Sequence, residues 1–155
     1  MKIVQKNQKM ICLIVFSLYI SIVLYLTIFR FNFYYDKRQL NLTLFIDLIN
    51  IYQNVGTGEF FRLFLGNIGW FIPFGFLFPM LLKRKSLFIT MSLGLTFSFF
   101  IETIQFISYK GVAELDDLIL NTLGTAIGHL SFKLSHKFIS KKIYPLYPLM
   151  GKKFY

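Results

Sequence analysis

Residues 10–29, MICLIVFSLYISIVLYLTIF, run without one charged side chain, and three later stretches repeat the pattern in weaker form. Crossing a hydrocarbon layer of about 30 Å as an α-helix takes roughly 20 predominantly apolar residues. The first run meets that length. The second, residues 63–82, contains Pro73, which a membrane helix tolerates because its neighbours re-satisfy the freed backbone groups; the residue four before it is Gly69. The third, residues 86–108, carries one acid, Glu102. The fourth, residues 117–134, DLILNTLGTAIGHLSFKL, is short and the most polar, so if it spans, its polar side must face protein. Between the first two runs, residues 40–55 place Thr43, Asp47, Asn50 and Asn54 on one helical stripe and Phe45, Leu48, Ile49 and Tyr52 on the other. That is the pattern of an amphipathic helix lying in a membrane surface. The pattern as a whole predicts an all-α integral membrane bundle: four transmembrane helices, one extracytoplasmic interfacial helix between helices 1 and 2, and a single domain over residues 1–155.

Charge sets the orientation. Lys2, Lys6, Lys9, Lys83, Arg84, Lys85 and the six lysines after residue 132 fall on one side of such a bundle, against Arg30, Lys37, Arg38, Arg62 and Lys110 on the other. Short basic loops stay in the cytoplasm, so both termini are expected inside, with a basic cytoplasmic tail over 135–155 and a multi-pass chain in the cell membrane. Six of the seven acids then lie outside, and the seventh, Glu102, lies within the third run.

Composition excludes other classes. With 55% hydrophobic and 15% charged residues the chain departs from an ordinary soluble domain. The net charge of +10 sits at helix ends, which suits anionic lipid and not a nucleic-acid footprint. Cys12 is alone, so no intramolecular disulfide forms. His129 lies twelve residues beyond Asp117, about 18 Å along a helix, too far to share a metal with the acids. No metal or cofactor is expected. His129 itself reads as a polar contact inside the bundle.

The informative polar residues are those the topology gathers toward the outer side: Arg30 ending the first run, Asn67 in the second, Glu102 and Gln105 in the third, Asp116, Asp117 and Asn121 in the fourth. Helical spacing puts Asp117, Asn121, Gly124 and Gly128 on one face, and Ser98, Glu102 and Gln105 on another. Gly124 and Gly128 form a small-xxx-small pair that lets two helices approach closely. An ionisable group inside a span is expensive and functional by default, which singles out Glu102; pairing with Arg30 is the structural alternative. Asp116 and Asp117 equally suit a helix N-terminus, where acids favour the dipole.

The segments NIGWFIPFGFLFP, IETIQ and LDDLILNTLGTAIG, in that order, resemble the VanZ-like family of small bacterial membrane proteins, named for a member associated with teicoplanin resistance. The resemblance covers roughly residues 25–128. It implies that Asn67, Pro73, Gly75, Glu102, Gln105, Asp117, Asn121 and Gly124 occupy the family's characteristic positions. Gly69 and Gly128 join Pro73, Gly75 and Gly124 as expected helix-packing positions. Lys110 and Gly111 stand where the family often has an arginine, Glu114 where it has aspartate, and Leu44 where a proline is common.

The expected function is non-enzymatic: engagement of a membrane lipid, cell-wall precursor headgroup or lipophilic glycopeptide drug at the outer surface, contributing to glycopeptide resistance. Two alternatives stand beside it. In one, Glu102, Asp116 and Asp117 serve a membrane-embedded enzyme as acid/base groups, or bind a cation, to process a lipid-linked phosphate. The other is a small proton-coupled transporter. No nucleophile beside a base, no metal-ligand histidine pair and no glycine-rich phosphate loop is visible, which ranks catalysis below binding.

Overall fold

The structure, a computed structural model, describes residues 2–29, 34–82 and 86–143. Helix α1 (Lys2–Phe29) is followed by a short strand β1 (Gln39–Asn41), helix α2 (Ile46–Asn54), helix α3 (Thr57–Leu82), helix α4 (Leu87–Ser108), strand β2 (Val112–Glu114) and helix α5 (Leu115–Ile143). The chain is all-helical apart from one small ribbon. In it β1 and β2 pair in parallel, Gln39 opposite Val112 and Asn41 opposite Glu114. The hydrophobic pattern gave no hint of this pairing, because strands of three residues are too short to carry an alternation.

Among the described residues three helices are long and apolar enough to cross a membrane: α1 over Lys9–Thr27, α3 over Thr57–Leu82 and α4 over Leu87–Ser108. The expected fourth run is also helical, but its more polar composition separates it from these three. Helices extend beyond the apolar runs. α1 begins eight residues before residue 10, α3 six before residue 63, and α5 carries on to Ile143, so the basic stretch after 134 starts on the helix. Residues 144–155 lie outside the described part.

Ends and breaks have local causes. Ser86 caps α4 by accepting from the Ile89 N–H at 3.4 Å, and Tyr109, left-handed at φ 60°, ends it. Pro73 and Pro79 both sit inside α3, where each removes one backbone hydrogen bond. The residues four before them are Gly69 and Gly75.

The interior is arranged around α5. One apolar cluster joins Val23, Phe71, Phe74 and Ile101 from α1, α3 and α4; a second joins Leu48, Ile68 and Leu120 from α2, α3 and α5. Between α4 and α5 the interior is polar. Asn121 donates to Ser98 Oγ at 2.8 Å, and His129 Nδ1 meets Thr90 Oγ1 at 3.0 Å, all four side chains being buried. Large apolar side chains such as Phe88 and Phe99 point outward instead. A water-soluble chain would invert this order.

Small residues bring α3 and α5 together. A β-carbon placed on Gly124 would strike the Ile68 carbonyl oxygen, one on Gly128 the Ile72 carbonyl, and one on Gly75 the Thr125 backbone. Backbone therefore touches backbone at these three points of the crossing. Gly69 takes no part: it is exposed, and a β-carbon there would meet nothing within 4 Å. Pro73 is half-buried one turn further along α3.

Candidate functional site

The three acids of ELDDLILNTLG go to three different places. Glu114 lies on β2, and its backbone N–H donates to Glu102 Oε2 at 2.9 Å. Its own carboxyl is pushed above the usual glutamate value, first by burial and then by the charges of Asp47 and Asp116. Asp116 is 1% exposed, and both its oxygens accept from the Phe45 N–H, at 2.9 and 3.0 Å. Phe45 precedes α2 with a left-handed backbone at φ 57° and no side-chain cap of its own. A carboxylate 71 residues away satisfies the N–H of this residue at the helix start. Asp117, in the first turn of α5, accepts from the Asn67 side-chain amide of α3.

Asp117 also faces a half-open cavity of about 140 Å³ lined by four helices. Its polar lining consists of Asn67 from α3, Glu102 and Gln105 from α4, Asp117 and Asn121 from α5, and Thr27 from α1. Its apolar wall is built from Val23, Leu26, Trp70, Phe71 and Ile101. The topology explains the convergence. Asn67 lies in the first half of α3, Glu102 in the last two turns of α4, and Asp117 opens α5, so antiparallel packing brings these levels together.

Most of these groups are already oriented. Glu102 is 5% exposed and held by the Glu114 N–H; Asn121, equally buried, is held by Ser98. Gln105 Oε1 is buried and has no hydrogen-bond partner among the described residues. On the far side of Asn67 and Asp117 lies a second space, of about 250 Å³, bordered by Asp47, Leu48 and Ile51 of α2 and by Leu63 and Glu114. The Asn67–Asp117 pair thus forms the partition between two polar spaces.

Of the seven residues that topology gathered, five line the first cavity: Asn67, Glu102, Gln105, Asp117 and Asn121. Asp116 does not; the structure gives it a fixed position under α2 instead of a solvated or ligand-facing one, because the unpaired Phe45 N–H needs an acceptor there. Arg30 lies outside the described residues. Sequence reasoning did not anticipate Trp70, Thr27 or the second space beside Asp47, and no periodicity marks them as neighbours. Among the described residues no three His, Cys, Asp or Glu side chains are placed to hold a metal ion.

Cations are found around this end as ring contacts. The Arg38 guanidinium lies 5.6 Å from the Phe106 ring centroid and 5.3 Å from that of Tyr109, while Lys110 Nζ lies 5.1 Å from that of Tyr34. Together with the Tyr35 N–H, which donates to the Tyr109 carbonyl at 2.8 Å, they fasten the segment after residue 33 to the end of α4.

Comparison with known proteins agrees with this reading of the sequence motifs. No solved structure matches the chain. Protein VanZ of Enterococcus faecium is 32% identical over 132 residues, which cover 81% of this chain and 76% of that protein. The family model described as VanZ/LLP1 matches residues 16–136, a stretch that contains the whole cavity and every helix pair around it, and the chain belongs to that family.

Proposed function

We propose that this VanZ-family protein is a non-enzymatic membrane protein whose cavity receives part of a cell-envelope lipid, cell-wall precursor or lipophilic glycopeptide at the outer leaflet, and so contributes to glycopeptide resistance. The observation that carries this reading is the convergence of Glu102, Asp117, Asn67, Asn121 and Gln105 on one cavity, next to an apolar wall. Burying two carboxylates and three amides against hydrocarbon is costly, and binding sites commonly combine a few placed polar groups with an apolar lining.

In this proposal α5 is the fourth span. Its buried Asn121, Thr125 and His129 are shielded by α3 and α4, so the polar composition that separates it from the other helices does not face lipid. Both termini lie in the cytoplasm by the basic-loop bias, which sets the cavity toward the outer leaflet. α2 lies at the interface there, with Leu48 packed inward and Ile46, Ile49 and Tyr52 half-exposed.

The test is glycopeptide susceptibility in cells expressing the full chain, with membrane abundance measured by immunoblot. Glu102→Gln and Asp117→Asn preserve shape and remove charge; each alone is expected to abolish most of the protection, and the double variant to add little, as for two groups serving one ligand. Full protection by Glu102→Gln at equal abundance would exclude this carboxylate's charge from the function.

A further inference from the structure

Among the described residues that line the cavity, charge is one-sided: Glu102 and Asp117 are the ionisable groups. Asn67 and Asn121 have each committed one amide N–H to a neighbour, Asp117 and Ser98 respectively. Glu102 is 5% exposed, and the Glu114 N–H occupies one of its two oxygens, Oε2. Gln105 presents a buried carbonyl oxygen with no partner at all among the described residues. Among the described residues no lysine, arginine or histidine lines this cavity or the adjoining one. Two carboxylates and an unpaired amide oxygen therefore border the cavity, and a buried acceptor left unpaired costs about 1–3 kcal/mol.

We infer that the cavity takes a protonated primary amine on a slim aliphatic stem. This rests on the binding reading above and names its ligand class. An ammonium brings three donors and a positive charge, which matches the two carboxylates and the unpaired Gln105 oxygen of the lining. A phosphate or carboxylate would meet Glu102 and Asp117 as like charges, and a neutral hydroxyl would leave both uncompensated. The stem lies against Trp70 and Phe71, whose ring faces also attract a cation. Size limits the ligand further. At about 140 Å³, in a measure where one water needs roughly 10–15 Å³, the cavity holds an ammonium and a few methylenes but not the body of a glycopeptide or a lipid. The recognised feature is thus the amine terminus of a larger molecule, which stays outside.

The full chain in detergent micelles, titrated with n-butylammonium, n-butanol, tetramethylammonium and inorganic phosphate at fixed ionic strength and followed by thermal unfolding, tests this. Butylammonium is expected to stabilise saturably, with an apparent affinity at least tenfold above the other three, and Glu102→Gln to weaken it at least tenfold. Equal stabilisation by butanol or phosphate overturns the ligand class, as does the absence of a saturable response to butylammonium. A response seen only in Arg30→Gln overturns it too, since the chain's own cation would then fill the site. Nanodiscs separate the sources: competition by an ethanolamine lipid against a phosphatidylglycerol background assigns the amine to a lipid headgroup, and undiminished butylammonium binding assigns it to a soluble or cell-wall amine. Failure here with loss of protection in Glu102→Gln cells would remove the ligand class and keep the binding site. Amine binding in a protein whose Glu102→Gln variant protects fully would do the reverse.

Discussion

Glu102, on α4, and Glu114, on β2, are joined by a hydrogen bond in which the Glu114 backbone N–H donates to the Glu102 carboxylate at 2.9 Å. The carboxylate that lines the cavity therefore also anchors the ribbon that leads into α5. Its two roles can be separated by choice of substitution. Glu102→Ala orphans the Glu114 N–H and is expected to cost about 1–3 kcal/mol, whereas Glu102→Gln retains an acceptor oxygen and stays close to the parent. Thermal unfolding of purified protein reads the difference; equal melting temperatures for the two variants would show that the bond contributes nothing to stability.

Asp116 should behave as a structural residue. In Asp116→Ala the Phe45 N–H loses both acceptor oxygens at the start of α2, and a buried donor left unpaired costs about 1–3 kcal/mol. Faster tryptic cleavage at Lys37 and Arg38 is the expected sign that α2 and the segment before it have loosened. Asp116→Asn, which keeps one acceptor, should cleave at nearly the parental rate. Resistance glycopeptide assays on the asparagine variant should likewise show parental protection.

Glycines provide an internally controlled comparison. Alanine at Gly75, Gly124 or Gly128 collides with backbone of the facing helix and is expected to destabilise by about 1–3 kcal/mol, or to lower membrane abundance, because backbone cannot step aside as a side chain tip can. At Gly69 the same change meets open space and gains helix propensity, roughly 0.8–1 kcal/mol in a helix interior. Thermal unfolding of the four variants should place Gly69→Ala at or above the parent and the other three below it. Any other order would dispute the closeness of α3 and α5.

Orientation is open to direct labelling. Cys12 is the chain's single cysteine, so Cys12→Ser gives a background without thiols. A cysteine introduced at Asp36 is expected to react with an impermeant thiol reagent in intact cells, and one at Arg84 only after permeabilisation. Labelling at Arg84 in intact cells would invert the topology and move the cavity to the inner leaflet.

The sequence by itself determined the class of the molecule and the identity of most of the polar cavity residues. An uncharged run at 10–29 fixes a membrane-length helix whatever it packs against, because its length and transfer free energy are local sums over residues. Asn67, Glu102, Gln105, Asp117 and Asn121 stood out because a polar group in an apolar run is costly wherever the run goes. The small-residue stripe through Gly124 and Gly128 was readable for the same reason, as a periodicity within one helix.

What tertiary structure alone decided is which of these groups meet, and what each one does there. Nothing near LDD distinguishes Asp116 from Asp117, yet one carboxylate supports the left-handed turn at Phe45 and the other faces the cavity, since adjacent residues on a helix point about 100° apart. The β1–β2 pairing, the Asn67–Asp117 partition and the contribution of Trp70 all join positions dozens of residues apart. Gly69 and Gly75 look alike in sequence, six residues apart on one helix, but only Gly75 meets α5. Such contacts depend on how helices cross and rotate against each other, and that is set by the fit of whole surfaces, which no single segment encodes.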